Sequence, residues 1–130
     1  MSKAFKSKRC VYCAGVSTTR DHVFARQFVA VEHRAHLPQA PSCADCNAEK
    51  SKLEHYLTSV LPFASMMPRS DRSLEEEVLP RLRRNRRLGR RLAEGAQTVR
   101  VTESGASVLT LAVPIDFQQL RELFRYLAKG

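Results

Sequence analysis

All four cysteines of the chain fall into two Cys-x-x-Cys pairs, Cys10-Val-Tyr-Cys13 and Cys43-Ala-Asp-Cys46. A two-residue gap lets two thiolates of one tight turn, or of a first helical turn, face the same tetrahedral ion. Two such pairs complete a closed four-sulphur shell, the structural type of zinc site. Zinc is therefore the expected metal, with Cys10, Cys13, Cys43 and Cys46 as its ligands. Four ordinary buried thiols would not be paired in this way. A redox role would need only one pair, and no thioredoxin-like βαβ pattern surrounds either. Such a zinc ion is a staple that stands in for missing hydrophobic core and folds its segment outright. It specifies a fold and, alone, no activity.

Composition then limits the rest. A chain of 130 residues suits one domain, 1–130, with a largely aliphatic core, since there is no Trp and the aromatic share is 7%. Twenty-two Lys and Arg against 13 Asp and Glu give a net charge of +9, a field that attracts polyanions. Nucleic acid is the expected polyanion, although charge alone would also suit a membrane surface or simple solubility. No apolar run of signal-peptide length follows the basic MSKAFKSKRC, and Pro62 and Pro68 interrupt the longest uncharged stretch. The expectation is a protein of the reducing cytoplasm with no membrane segment.

Patterning along the chain predicts an α+β fold. Residues 1–9 read as a loose basic arm. Thr18 to Val23 reads as a short strand, Val29 to Leu37 as an irregular loop and Leu37 to Pro41 as a second strand. Ser42 with Asp45 makes a capping box for a helix through Leu53, Leu57 and Val60 that stops before Pro62. Pro62 to Asp71 reads as a linker. Ser73 with Glu76 then forms a second capping box, with Pro80 kinking or restarting that helix. Alternating β-branched and polar residues over 98–113, around Ser104-Gly105, predict a hairpin. Asp116 with Gln119 opens a last helix with Phe117, Leu120, Phe124 and Leu127 on its apolar face. The chemistry is expected in segment 10–61, and segment 72–130 is expected to be a helical and hairpin accessory.

Between the cysteine pairs lies Thr18-Thr19-Arg20-Asp21-His22-Val23, and the second pair runs directly into Cys46-Asn47-x-x-Lys50-Ser51. In this combination residues 10–57 resemble the HNH endonuclease family, whose ββα-metal motif is often braced by two Cys-x-x-Cys pairs. The resemblance implies a zinc-stapled ββα-metal motif, and the patterning beyond it adds an Arg-rich helix, a β-hairpin and a C-terminal helix. The resemblance also implies that His22 is the general base that takes a proton from the attacking water. Asp21 and Asn47 match the family's metal ligands, a carboxylate and an amide oxygen suited to Mg²⁺ or Mn²⁺. The middle motif position, usually Asn, falls by its distance from Cys43 near His36, a departure in which a ring N–H would orient the loop carrying the base. The implied reaction is phosphodiester hydrolysis leaving 5′-phosphate and 3′-hydroxyl ends. Arg26 and Lys50 are expected as phosphate contacts. His33 and His55 read as surface or packing residues, and Glu54 and Tyr56 share the helix of Asn47.

From Arg81 to Arg91 the chain carries Arg81, Arg83, Arg84, Arg86, Arg87, Arg90 and Arg91 with no acid among them. At 100° per residue, Leu82, Asn85, Leu88, Gly89 and Leu92 share one face, and every Arg except Arg81 falls opposite. Guanidinium forks bind two phosphate oxygens at once, so Arg83, Arg87, Arg90 and Arg91 are expected to grip nucleic acid. With few aromatics for base stacking, the expected partner is the backbone of double-stranded DNA. A non-catalytic zinc-finger DNA-binding protein that keeps the HNH frame is the alternative, and His36 at the middle position is its support. Oligomeric state is open, a homodimer included.

Overall fold

A computed structural model describes residue 5, residues 7–64 and residues 74–130. Residues 65–71 of the expected linker, Ser73 of the second capping box and residues 1–4 and 6 of the basic arm lie outside these. The described residues are mixed α and β, with two separate two-stranded antiparallel sheets among them. The chain groups into two units, Met1–His55 with Phe117–Gly130, and Tyr56–Asp116.

The first unit holds a short sheet of β1, Thr19–His22, paired antiparallel with β2, Gln39–Ser42. The register sets Thr19 opposite Ser42 and His22 opposite Gln39. The second strand lies slightly later than the sequence pattern suggests. The intervening residues are not an irregular loop but two 3-10 turns, Arg26–Phe28 and Val31–His36. Helix α1, Ala44–Ala64, follows β2 after a single residue.

Two expectations for α1 are corrected. Ser42 ends β2, and its hydroxyl donates to the Cys43 carbonyl. The residue before the helix is Cys43, whose sulphur receives the Cys46 N–H at 3.4 Å, while Thr18 Oγ1 accepts the Ala44 N–H. Cys43 thus takes the capping place that the Ser/Asp pattern suggested for Ser42. The helix also does not stop before Pro62 but carries it to Ala64. So close to the C-terminal end, a proline removes only one intrahelical bond from the last turns.

Helix Phe117–Lys129 belongs to the first unit, although its position in sequence put it with the accessory segment. Its buried side chain is Leu123, whereas Phe117 and Phe124 are 72% and 60% exposed. Two apolar stripes overlap on this helix, and the one facing inward runs through Leu123 and Tyr126. Tyr126 packs edge-on against Tyr12 with ring centroids 4.9 Å apart, and Lys129 Nζ donates to the Tyr12 carbonyl at 3.1 Å.

In the second unit, a wide turn at Leu74–Val78 leads into α2, Leu79–Arg84, with Pro80 in its first turn. The arginine segment is then not one helix. Asn85 leaves the helical conformation at φ −100° and ψ 75°, and its side chain caps α3, Arg86–Gly95, by accepting the Leu88 N–H at 3.1 Å. Asn competes well for that role, and mid-helix it gains little. Gly89 permits the close approach of the two helices, since a Cβ there would sit 3.2 Å from the Leu82 carbonyl oxygen. Strands β3, Gln97–Glu103, and β4, Ala106–Ala112, form the expected hairpin. Ser104 and Gly105 both have positive φ, 50° and 82°, the type I′ turn that matches strand twist.

Candidate metal centre and active-site cleft

The first Cys-x-x-Cys pair sits in a turn that doubles back on itself. The Ala14 N–H donates to the Cys10 carbonyl at 2.8 Å and the Cys10 N–H to the Gly15 carbonyl at 2.8 Å. Ala14 holds φ at 62°, a left-handed conformation that costs a non-glycine residue roughly 1–2 kcal/mol. Arg9 and Val16 bridge across the base of this turn. The second pair lies at the start of α1, and the Val11 N–H donates to the Pro41 carbonyl at 3.1 Å, drawing the two pairs together.

The four sulphurs of Cys10, Cys13, Cys43 and Cys46 all lie within 4.8 Å of one another. Cys13 and Cys43 sulphurs are 3.8 Å apart. A regular tetrahedron with zinc–sulphur bonds near 2.3 Å has edges of about 3.8 Å, so the donor set and its spacing both suit zinc. Among the described residues this is the group of His, Cys, Asp and Glu side chains close enough to hold one metal ion. Burial raises the Cys46 thiol, and its three neighbouring thiols add to the effect. Burial also raises Cys10, but hydrogen bonds from the backbone at Cys43, Cys13 and Tyr12 outweigh it and bring that thiol to about 6. Four thiolates so close together need a cation among them to ionise fully.

Strand β1 alternates, so Asp21 is buried while Arg20 is exposed and His22 half-buried. Asp21 Oδ2 accepts from the Tyr12 hydroxyl at 2.6 Å and pairs with Lys50 Nζ at 2.9 Å. Lys50 is fully buried, and its ammonium also donates to the His22 carbonyl at 2.7 Å and to Glu54. This corrects the expectation that Lys50 touches phosphate: its charge is consumed inside the unit, where it ties α1 to β1. Burial is the main influence on the Glu54 carboxyl and raises it, even beside Lys50. Burial and the Asp21 carboxylate together push the Tyr12 phenol up, so it stays a donor.

Thr19 stands at the crossing of β1 and α1. Its hydroxyl donates to the Ser42 carbonyl at 3.0 Å and accepts from Asn47 Nδ2 at 3.2 Å. Those bonds orient the Asn47 amide with its oxygen turned away from Thr19. A cleft of about 530 Å³ is lined by Arg20, Asp21, His22, Ala25, Arg26, Gln27, Asn47, Ser51, Glu54 and His55. Asp21, His22, Asn47 and Arg26 are thus brought to one cleft.

His36 is not among the cleft residues. It ends the second 3-10 turn as an exposed residue. The ring of His22 instead meets Gln39, its cross-strand partner, with Nε2 of His22 3.1 Å from the Gln39 amide nitrogen. Counting back from Cys43 missed Gln39 because the relevant distance runs across the sheet. A search for an amide opposite His22 in an antiparallel pair would have found it. His55, read from sequence as a surface or packing residue, lines the cleft eight residues along α1 from Asn47, on the same side of the helix.

In the second unit Arg83, Arg84, Arg86, Arg87, Arg90 and Arg91 are exposed, whereas Arg81 is half-buried. Leu92 is buried and Leu82 and Leu88 half-buried, so leucines turn inward even across the break at Asn85. Arg91 is partly engaged, 3.6 Å from Asp116 and over the Tyr56 ring at 5.7 Å. No helix among the described residues is long and apolar enough to cross a membrane. No protein-family model, no curated protein and no solved structure matches the chain.

Proposed function

We propose that the chain is an HNH-type endonuclease that hydrolyses phosphodiester bonds of DNA, with zinc bracing the fold and a second divalent ion used in catalysis. The observation that carries this reading is the shared cleft of Asp21, His22 and Asn47 on a β–β–α frame beside two arginines. Asp21 Oδ1 takes no part in the contacts of Oδ2 described above, and the Asn47 amide oxygen is the end of that group not held by Thr19. These two hard oxygens would hold Mg²⁺ or Mn²⁺, which supplies charge stabilisation at the phosphate.

His22 supplies the base. Its neutral imidazole offers the ring lone pair that takes a proton from water, and the Gln39 amide nitrogen 3.1 Å from Nε2 holds the ring in place. Lys50 ties the strand to α1 through the His22 carbonyl, which anchors the backbone that carries the imidazole. Arg20 and Arg26 would draw the phosphodiester to the cleft. His22→Ala is expected to lose plasmid cleavage by at least about 10²-fold, with zinc content and fold kept. Supercoiled plasmid with Mg²⁺ or Mn²⁺ is the assay. Equal cleavage by the two proteins would reject His22 as the base.

The non-catalytic reading also has a specific support. Lys50 already compensates the Asp21 carboxylate at 2.9 Å, which lowers the demand for a metal there. Inactivity of the wild type across divalent ions and substrates would decide for it.

Either reading uses the exposed arginines. Each phosphate contact releases condensed counterions, so log affinity falls by about 0.9 per contact with log salt. Changing Arg83, Arg87, Arg90 and Arg91 to Gln is expected to make that slope shallower by about 2.7 to 3.6, the lower figure applying if Arg91 stays with Asp116. Binding should weaken alike on unrelated sequences. Fluorescence anisotropy with the His22→Ala protein measures it, and an unchanged slope would place the DNA surface elsewhere.

A further inference from the structure

Tyr12 sits between Cys10 and Cys13, where a side chain can simply face solvent, yet it is only 6% exposed. Its hydroxyl reaches Asp21 and donates to Oδ2 at 2.6 Å. The rest of the residue is held from the other side by the last helix. Tyr126 packs edge-on against the ring, and Lys129 Nζ donates to the Tyr12 carbonyl. Gly130 lies so close that a Cβ there would stand 3.2 Å from the hydroxyl. The backbone is closed by the tight cysteine turn, through the Ala14 N–H on the Cys10 carbonyl. Ring and main chain are both fixed, and so is the direction from which the hydroxyl approaches Asp21.

A carboxylate offers about four lone-pair sites, two on each oxygen. Tyr12 and Lys50 fill the sites of Oδ2, at 2.6 and 2.9 Å. Lys50 by itself would not set the plane of the group. Its ammonium is shared with Glu54 and the His22 carbonyl, and the last torsion of an aspartate is broad and two-fold. A second donor, arriving from a different element on a rigid ring, stops the two oxygens from exchanging places.

We propose that Tyr12 is a positioning residue for the catalytic ion: by holding Oδ2 of Asp21, it presents Oδ1 to the divalent metal. The cysteine turn then has two duties, to close the four-sulphur site and to set the affinity of a second metal site in the cleft. This inference rests on the nuclease reading, because it takes Asp21 as a ligand. All of its residues belong to the first unit.

The test is a titration of the full zinc-loaded chain with Mn²⁺ in the absence of DNA, read by the electron paramagnetic resonance of the free ion. Groups that orient a metal ligand are typically worth about 10–100-fold in affinity. Tyr12→Phe removes one oxygen and keeps the ring on Tyr126, so it is expected to raise the Mn²⁺ dissociation constant by about that factor. Zinc content and a cooperative melt should be retained, and half-maximal plasmid cleavage should move to correspondingly higher Mn²⁺. Tyr126→Phe loses a hydroxyl beside the same ring without touching Asp21, and should bind Mn²⁺ as the wild type does. A wild type that binds and cleaves beside a Tyr12→Phe chain of equal Mn²⁺ affinity overturns the role of Tyr12 and leaves the nuclease reading standing. A Tyr12→Phe chain that loses its zinc or its cooperative melt makes the hydroxyl a prop of the fold and overturns it as well. A wild type that neither binds Mn²⁺ nor cleaves rejects both.

Discussion

Cys43→Ser is expected to abolish zinc binding and to unfold the β1–β2–α1 motif. The sulphur of Cys43 lies 3.8 Å from that of Cys13 and also receives the Cys46 N–H at the start of α1. Serine is itself a good helix cap, so the substitution spares the cap and removes only a metal ligand. Structural zinc in small finger peptides contributes about 10–16 kcal/mol, against a total stability of about 5–15 kcal/mol for a typical domain. Losing it should therefore exceed the whole margin. Elemental analysis should find one zinc per wild-type chain and none in the variant, and thermal melts should lose their cooperative transition. A strong chelator should do the same to the wild type. A chelated, metal-free chain that keeps a cooperative melt would refute the structural role.

The second large effect is expected at Lys50. Its ammonium is fully buried between Asp21, Glu54 and the His22 carbonyl. Lys50→Met keeps the stem's volume and leaves two carboxylates without their cation. Breaking a buried pair from one side costs about 3–5 kcal/mol, because the remaining charge is uncompensated. The pH dependence has a definite sign. The Glu54 carboxyl already stands above its ordinary 4.5 through burial, and without Lys50 it should stand higher still. A folded carboxyl raised above its unfolded value stabilises when protonated, and that stability is lost as pH rises through the folded value. The variant should therefore be weakest at neutral pH and should recover toward the wild type as pH falls through the window above 4.5. Chemical denaturation at several pH values measures this. A variant as stable as the wild type at neutral pH would show that the ion-pair cluster contributes nothing net.

Features that depend on local spacing were legible in the chain alone. Two residues between thiols let both sulphurs of a pair face one point, and the four sulphurs do gather within 4.8 Å of one another. Ser104-Gly105 between alternating strands marks a hairpin, whereas its type I′ geometry is given by the positive φ at both positions in the folded chain. The inward leucines around Arg81–Arg91 were legible because 100° per residue holds over any helical turn. Spacing could not say that Asn85 caps a new helix instead of extending the first, because either choice buries the same leucines. On the last helix, two apolar stripes satisfy the same period, and only packing against Tyr12 selected Leu123 and Tyr126 over Phe117 and Phe124. The cleft divides in the same way. Asp21, His22 and Asn47 could be picked out by order along the chain. Gln39 beside His22 depends on strand register, and the burial of Lys50 depends on α1 crossing beneath β1. A lysine's length lets it reach solvent or an interior carboxylate equally well, and the desolvation that decides between them exists only once strand and helix have packed.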